Sequence, residues 1–472
     1  MTILQILLLA AAAALLGLLP RGRTLALAGV SMFVLFWLAR PVETLVSLPF
    51  WLQVLAAFLV IAVWWITAPA ELRQLRKQWP ALAVLAGAIF LTVFIARLPI
   101  GPILSIATAS PLTVGGMLLV FAIVLFMLNQ TARFNRLWAA LGILTLLLFF
   151  VVVKSSAASS QIVSWFSTLR GGAPADSSLT IVWLGYSYLA FRLLHVLRDW
   201  QSGLLAPVNL DEFICYVLFF PSYVSGPIDR VERFVKDLRV SSRLDHAALL
   251  SGGQRLAVGL FKKFVLADWL AWLSISDALV EQTRSGAWLW LFLYAYAFRL
   301  YFDFSGYTDI AIGLGRLIGV RLPENFDAPY LKPNLTQFWN AWHITLTQWF
   351  RAYVFNPLIR SLRTVKRPLP TWLILLLAQL LTMSLIGLWH GFTWNFLLWG
   401  VWNGAGVFLQ SRWSEFARVQ LANWNERPFA RHALTAGGIF LTFNYFALSL
   451  VFFALSSPQA SIAALIKLFG VS

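Results

Sequence analysis

The sequence predicts an all-α, polytopic integral membrane protein, and its composition leads to this prediction. Hydrophobic residues make up 60% of the 472-residue chain and charged residues only 12%, against roughly 45–50% and about 25% in soluble globular proteins. The mean hydropathy is +0.77. These values argue against a soluble chain and a disordered one, and against the weakly apolar strands of a transmembrane β-barrel. At about 20 apolar residues a span, the chain has room for about 10–12 transmembrane helices.

The formal net charge of +17 is explained by membrane topology. In a soluble protein such an excess would indicate a nucleic-acid partner, but the sequence contains no nucleic-acid-binding module, so we expect none. The basic residues lie mostly in short gaps between apolar runs. The positive-inside rule then predicts an N-terminus outside the cytoplasm. The three gaps predicted to be cytoplasmic hold Arg21 and Arg23; Arg73, Arg76 and Lys77; and Arg133 and Arg136.

A polar stretch rich in Gly, Ser and Ala, residues 155–178, is the best internal boundary. Residues 1–154 are predicted to be N-terminal transmembrane helices that act as a scaffold, residues 155–178 an extracytoplasmic loop, and residues 179–472 the catalytic core. In the core, Gly, Pro and ionisable residues interrupt the apolar runs. Irregular backbone at membrane depth is tolerated only where it is buried in protein or lines a cavity. The run before Pro221 fits either a re-entrant helix or an ordinary span followed by a loop.

Ionisable residues inside the apolar core are candidates for function, because a charge at the bilayer centre costs roughly 2.5–3.5 kcal/mol. Arg198 and His195 lie near the end of one predicted span, where a basic end at the membrane interface is the simpler interpretation. Arg192 lies two turns deeper in the same span, so this interpretation suits it less well. Asp303 and Asp309 are too far apart to share one helical face cleanly. They fit ion pairs with arginines as well as acid–base catalysis.

The segment from Phe338 to Arg351 predicts a helix with an aromatic stripe at three- and four-residue spacing. His343 lies beside that stripe. A lone histidine on an apolar helix is more often a core residue than a catalyst, so both interpretations stay open on the pattern alone.

His390 is the stronger candidate, because it is the only ionisable residue between Arg367 and Arg412. Gly387 and Gly391 flank it and permit close backbone approach or a break in the helix. Imidazole is the side chain whose ordinary pKa lies nearest neutrality, which suits a general base.

Several other chemistries lack support in the sequence. No G-x-S-x-G elbow and no P-loop occur. The five histidines lack zinc-like spacing, and the single cysteine, Cys215, cannot form a cysteine metal site. We therefore expect no metal and no bound cofactor.

Seven motifs occur in order between Trp183 and Gly404. They are G-Y-S-Y-L-A-F-R at Gly185, F-P-S-Y-V-S-G-P-I-D-R ending at Arg230, G-L-F-K-K at Gly259, F-D-F-S-G-Y-T-D at Phe302, N-F at Asn325, F-W-N-A-W-H-I-T-L-T-Q-W-F-R at Phe338 and G-L-W-H-G-F-T-W-N-F at Gly387. Together they resemble the bacterial branch of the membrane-bound O-acyltransferase (MBOAT) family, which includes alginate O-acetyltransferase membrane subunits and teichoic-acid D-alanyl transfer proteins.

The resemblance implies tilted helices and re-entrant helices around a central tunnel, in which a cytoplasmic acyl thioester meets an acceptor from the other face. It implies that His390 is catalytic and that His343 is its companion. We also expect other motif residues to bind substrate, namely Trp342, Trp389, Asn395, Arg351, Asp303, Tyr307 and Asn325. The sequence departs from the family pattern at Arg351-Ala352-Tyr353, Ile359-Arg360 and Trp402-Asn403-Gly404.

The expected activity is transfer of an acetyl or other short acyl group to the hydroxyl of an extracytoplasmic polysaccharide or cell-wall polymer, at the bacterial inner membrane. The co-substrate would be an acyl thioester, either acetyl-CoA or an acyl-carrier protein. The expected partners are membrane lipid, the acyl-donor thioester or carrier protein, and a periplasmic or secreted SGNH-type transferase. One alternative is a D-alanyl or lipid acyl transferase with an acyl-carrier donor, and another is a non-catalytic transporter or channel.

Overall fold

The computed structural model describes residues 1–39, 47–98, 108–169, 179–240, 244–366, 369–420 and 428–470. These residues are overwhelmingly helical, and the extended pairing among them is limited to an isolated bridge between Phe326 and Trp342. The prediction of an all-α membrane protein is confirmed.

The chain forms two compact units, one of Met1–Ala257 with Asp309–Pro323 and one of Val258–Thr308 with Glu324–Ser472. The helices from the start of the chain to Phe261 are α1 Ile3–Leu18, α2 Arg23–Leu38, α3 Leu48–Thr67, α4 Leu75–Ile95, α5 Pro111–Gln130, α6 Asn135–Lys154, α7 Ser156–Leu169, α8 Tyr186–Gln201, α9 Leu210–Leu218, α10 Val231–Arg239 and α11 His246–Phe261. The remaining helices are α12 Asp268–Ala271, α13 Asp277–Gln282, α14 Gly286–Ile318, α15 Leu335–Ala341, α16 Ile344–Phe350, α17 Asn356–Arg363, α18 Thr371–His390, α19 Trp394–Gln420, α20 Pro428–Ser449, α21 Val451–Ala454 and α22 Pro458–Leu468.

Six helical segments of the described residues are long and apolar enough to cross a membrane: Leu48–Thr67, Leu75–Ile95, Pro111–Gln130, Ala132–Lys154, Thr371–His390 and Pro428–Ala454. Helices α1 and α2 are apolar but shorter. The composition had predicted about 10–12 spans. The predicted number is larger than six because composition counts apolar residues wherever they lie. Many helices after residue 178 are short or carry charges, so they do not meet the length and hydropathy of a span.

The segment 155–178, predicted as a loop, contains helix α7 over Ser156–Leu169. Here the apolar residues Ile162, Val163, Trp165 and Phe166 occur among Ala and Ser, so the polar composition concealed a helical stretch. Residues 170–178 of the predicted loop lie outside the described residues. The predicted boundaries do not coincide with those of the compact units, and the division into scaffold and catalytic core stays a prediction.

Arg192 on α8 holds together the short-helix region of the first unit. The residue is only 1% exposed. Its guanidinium donates to the carbonyl of Val217 at 2.8 Å and to the carbonyl and hydroxyl of Ser222 at 3.1 and 2.6 Å. These bonds satisfy the carbonyl of Val217 at the end of α9 and the carbonyl and hydroxyl of Ser222 in the turn that follows. With nine residues at about 1.5 Å each, α9 is too short to cross a bilayer core of about 30 Å.

Helices α18 and α19 pack as a tight hairpin in the second unit. A side chain at Gly400 would lie 2.6 Å from the carbonyl oxygen of Met383, and one at Gly387 would overlap the carbonyl oxygen of Phe396. Because these glycines allow the two backbones to touch, the end of α18 at His390 is held against the start of α19.

Candidate active site

His343 and His390 line the same cavity of the second unit, although they lie 47 positions apart in the sequence. The cavity has a volume of about 40 Å³. Its lining also includes apolar and aromatic residues: Leu300, Phe304, Trp339, Trp342, Leu346, Ile386, Trp399, Phe446, Leu450 and Phe453. We call it the histidine cavity.

His343 sits at the break between helices α15 and α16, in a left-handed backbone conformation with φ of 43° and ψ of 52°. This conformation is uncommon for any residue that has a Cβ atom. The neighbouring backbone holds it in place: the N–H of Ile344 donates to the carbonyl of Asn325 at 3.0 Å, and the N–H of Asp327 donates to the carbonyl of Ala341 at 3.0 Å.

The break differs from the continuous helix that the aromatic stripe predicts from Phe338 to Arg351. The chain forms α15 and α16 instead, with His343 between them. The stripe was a correct sign of burial, because Trp339, Trp342 and Leu346 are all buried. The hydrogen bonds to the 325–327 segment, which is distant in sequence, make the break.

The side chain of Asn325 fixes the tautomer of His343. Asn325 Oδ1 accepts the backbone N–H of Thr345 at 3.2 Å and the hydroxyl of Thr345 at 2.9 Å, which identifies it as the oxygen. His343 Nδ1 lies 3.1 Å from the same atom and must therefore donate to it. A neutral ring that carries its proton on Nδ1 has a lone pair on Nε2.

Nε2 of His343 is buried and has no hydrogen-bond partner in the part of the chain that the structure describes. His343 lies outside the six candidate spans. Burial lowers the pKa of His343 to about 3, so the ring is neutral at physiological pH. The structure thus presents one hydrogen-bond acceptor at this position of the cavity lining.

His390 is the last residue of α18, and the chain turns at Gly391 towards α19. The ring is half-buried and surrounded by aromatic groups. Its centroid lies 4.5 Å from that of Trp389, 4.7 Å from Phe453 and 5.6 Å from Trp399. The helix break expected from the flanking glycines occurs at Gly391.

Three of the predicted substrate-binding residues lie close to the histidines. Trp342 lines the cavity, Asn325 bonds to His343, and the ring of Trp389 lies near both histidine rings, 6.0 Å from His343 and 4.5 Å from His390.

The other four predicted residues are not among the described residues that line the cavity. Asp303 pairs with Lys263, Arg351 donates to Asn340 at 2.6 Å, and Asn395 donates to the carbonyl of Leu455 at 2.7 Å. Tyr307 lies on α14.

The prediction missed Trp339 and Trp399 as site residues. Both line the cavity and are almost fully buried, and neither indole N–H has an acceptor among the described residues. Trp339 belongs to the aromatic stripe and Trp399 to an apolar run. In both patterns a tryptophan registers only as an apolar side chain, and its N–H donor goes unnoticed.

A second polar cluster lies in the first unit, where ligand-type atoms of His195, Asp199 and Glu232 lie within 4.8 Å of one another. The sequence had shown no metal-like spacing here, because Glu232 is distant along the chain. His195 Nδ1 lies 3.4 Å from Asp199, and the backbone N–H of Val231 donates to Nε2 at 3.5 Å. Both ring nitrogens are therefore already engaged.

Comparison with protein families agrees with the motifs. The model described as MBOAT, membrane-bound O-acyltransferase family, matches residues 105–456, which is most of the chain and includes the whole histidine cavity. The chain belongs to the membrane-bound O-acyltransferase family. The predicted enzyme class, an acyltransferase of a polytopic membrane protein family, is confirmed at this level.

Individual relatives are named for two different acyl groups. The MBOAT chain is 32% identical over 281 residues to a teichoic acid D-alanyltransferase of Streptococcus thermophilus, covering 57% of this chain and 68% of that protein. It is 36% identical over 232 residues to a probable alginate O-acetylase AlgI of Azotobacter vinelandii, covering 48% of this chain and 44% of the relative. A teichoic acid D-alanyltransferase of Bacillus subtilis is 32% identical over 47% of this chain and 57% of its own length. The chain thus spans about half the length of the last two relatives.

Proposed function

We propose that this protein transfers an acetyl or other short acyl group from a cytoplasmic thioester to a hydroxyl of an extracytoplasmic polysaccharide or cell-wall polymer. The observation that carries the proposal is the placement of His343 and His390 on one small, largely apolar cavity. Acyl transfer to a hydroxyl needs a base, a dry site and two positioned reactants. The aromatic lining of the histidine cavity supplies the dry site.

The size of the cavity supports a short acyl group. A cavity needs roughly 10–15 Å³ to hold one water molecule. The histidine cavity, at about 40 Å³, therefore holds only a few non-hydrogen atoms. An acetyl group fits that space, whereas a long fatty acyl chain would need the site to open.

The surroundings of the two histidines favour different roles. His390 is half-buried and takes the hydroxyl proton as general base. His343 is fully buried, and because burial disfavours its protonated form it is a poor general base. Its Nε2 accepts a hydrogen bond and so orients the acceptor.

The co-substrate in this proposal is acetyl-CoA or an acyl-carrier protein, and no resident cofactor takes part. The protein acts in the bacterial inner membrane, in contact with lipid. A periplasmic or secreted SGNH-type transferase passes the acyl group on to the polymer.

A second candidate function, D-alanyl transfer from a carrier protein, is supported by one observation. The relative from Streptococcus thermophilus that is named for D-alanyl transfer is matched over 68% of its length. A D-alanyl group has one carbon and one amino group more than an acetyl group, so an assay with each donor in turn distinguishes the two functions. A transporter would need no acyl donor at all.

The test is a transfer assay in membranes that contain the wild type, His390→Ala or the control His432→Ala. His432 is an exposed histidine whose ring bonds to the backbone of Pro428. Labelled acetyl-CoA and a labelled D-alanyl carrier are supplied in separate reactions with polymer acceptor and a periplasmic fraction, which supplies the SGNH-type transferase. We expect acetyl transfer by the wild type and the control and none by His390→Ala. Transfer of D-alanine alone would favour the second candidate, and no transfer from either donor would overturn the proposal.

A further inference from the structure

Two tryptophans of the histidine cavity carry buried hydrogen-bond donors without acceptors. Trp339 is 6% exposed and Trp399 is 3% exposed. Within the described ranges of the chain, neither indole Nε1 has a hydrogen-bond partner. An unpaired buried donor costs about 1–3 kcal/mol, so such groups are rare in folded proteins.

Several other tryptophans of this chain, though not Trp183, have a hydrogen-bond acceptor for the same atom among the described residues. Trp64 donates to the carbonyl of Val208 at 2.9 Å, and Trp290 donates to that of Leu468 at 3.0 Å. Trp402, three residues after Trp399 on α19, donates to the carbonyl of Tyr445 at 3.2 Å. The fold can therefore supply a backbone carbonyl to a buried indole N–H. At Trp339 and Trp399, beside the proposed reaction site, the described residues supply no such acceptor.

The two indoles lie close to each other and to the proposed base. Their ring centroids are 5.8 Å apart with the planes nearly perpendicular. The centroid of Trp399 is also 5.6 Å from that of His390. Two N–H groups that each reach about 2.9 Å can share one oxygen atom when their nitrogens lie less than about 6 Å apart, a spacing comparable with the 5.8 Å between the two ring centroids.

We propose that the indole N–H groups of Trp339 and Trp399 bind the carbonyl oxygen of the acyl thioester and stabilise the oxyanion formed from it. This inference rests on the proposed function and adds the donors that the reaction requires. Neutral donors suit the site, because fixed N–H groups in an apolar, water-excluding cavity stabilise a developing negative charge more strongly than they would in water.

Acyl transfer through this oxyanion conserves atoms and charge. The acceptor hydroxyl oxygen forms a bond to the thioester carbonyl carbon, His390 takes the hydroxyl proton, and the carbonyl π electrons move to the oxygen held by the two indoles. When the carbonyl forms again, the carbon–sulfur bond breaks. The leaving thiolate takes the proton from His390, so the products are an ester and a thiol.

The kinetic test compares Trp339→Phe and Trp399→Phe with Trp402→Phe. All three substitutions remove an indole, but the control removes an N–H that already has an acceptor. Loss of one oxyanion donor typically lowers kcat by about 10²–10³-fold. We expect falls of this order for the two cavity variants, a donor KM within about threefold of wild type, and a kcat near wild type for the control. Cavity variants that keep the kcat of the control would overturn the inference.

A spectroscopic test does not depend on turnover. A thioester donor with a ¹³C-labelled carbonyl is bound to His390→Ala protein, with and without the Trp399→Phe change, and the carbonyl stretch is measured by infrared difference spectroscopy. We expect a band shifted to lower frequency that moves back when Trp399 is replaced. A bound carbonyl band that does not respond, or no bound band, would overturn the inference. A responsive band in a protein without acyl transfer would instead overturn only the proposed function.

Discussion

Asn325 Oδ1 lies 3.1 Å from His343 Nδ1, and this contact fixes both the position of the imidazole and the location of its proton. The same oxygen accepts two hydrogen bonds from Thr345, and the backbone carbonyl of Asn325 accepts the N–H of Ile344. One asparagine therefore stabilises the break between helices α15 and α16, orients the ring of His343 and determines its tautomer. The lone pair of His343 Nε2 follows from this arrangement.

Replacing Asn325 by Ala should reduce both stability and acyl transfer. The change leaves three donors of His343 and Thr345 without their shared acceptor, at about 1–3 kcal/mol for each group that stays unpaired. Thr345→Val removes one donor and leaves the acceptor with two, so its effect should be smaller. Thermal unfolding in detergent and kcat measure the two effects. Equal losses in the two variants would contradict a central role for Asn325.

Replacing His343 by Gly should give a more stable protein than replacing it by Ala. Both variants lose the imidazole, but only glycine adopts a φ of 43° without a steric cost. The left-handed conformation costs other residues roughly 1–2 kcal/mol. The unfolding temperatures of the two variants decide the matter, and an Ala variant as stable as the Gly variant would show that the backbone is unstrained.

Gly400→Ala should separate helices α18 and α19 and lower acyl transfer. The new methyl group would lie 2.6 Å from the carbonyl oxygen of Met383, so backbone must move. Because His390 ends α18 and Trp399 lies on α19, the cavity should distort as well. Gly437→Ala on α20 is the matched control, since no heavy atom lies within 4 Å of its added methyl. The control should equal the wild type or gain about 0.5–1 kcal/mol of stability, and a Gly400 variant that behaved like it would contradict the tight hairpin.

Arg192→Lys should destabilise the protein by about 2–3 kcal/mol, because one ammonium group cannot reproduce the forked bonds to Val217 and Ser222. Arg198→Lys is the control: Arg198 lies on the same helix, is exposed and donates to Gln201. Thermal unfolding in detergent measures both. Equal unfolding temperatures for the two variants would show that Arg192 is not a structural brace.

Hydropathy and ordered motifs are local signals, so the sequence alone predicts an all-α membrane protein and singles out the two histidines that line the cavity. It fails where contacts that are distant in sequence decide the structure. The aromatic stripe around Trp339 predicts burial equally for one helix and for two. The break at His343 depends on Asn325, which is 18 residues away. For the same reason the sequence shows Trp399 only as an apolar residue, whereas its missing hydrogen-bond acceptor is visible only once the cavity has formed.

A double-mutant cycle measures whether His343 and His390 act together on one acyl transfer, as we propose. The kcat/KM for acyl transfer is measured for wild type, His343→Ala, His390→Ala and the double variant. Residues that act as a unit are strongly non-additive. We expect a double variant about as slow as His390→Ala alone. If the losses of the two single variants multiplied, or if His343→Ala retained wild-type activity, the two histidines would not form one active site.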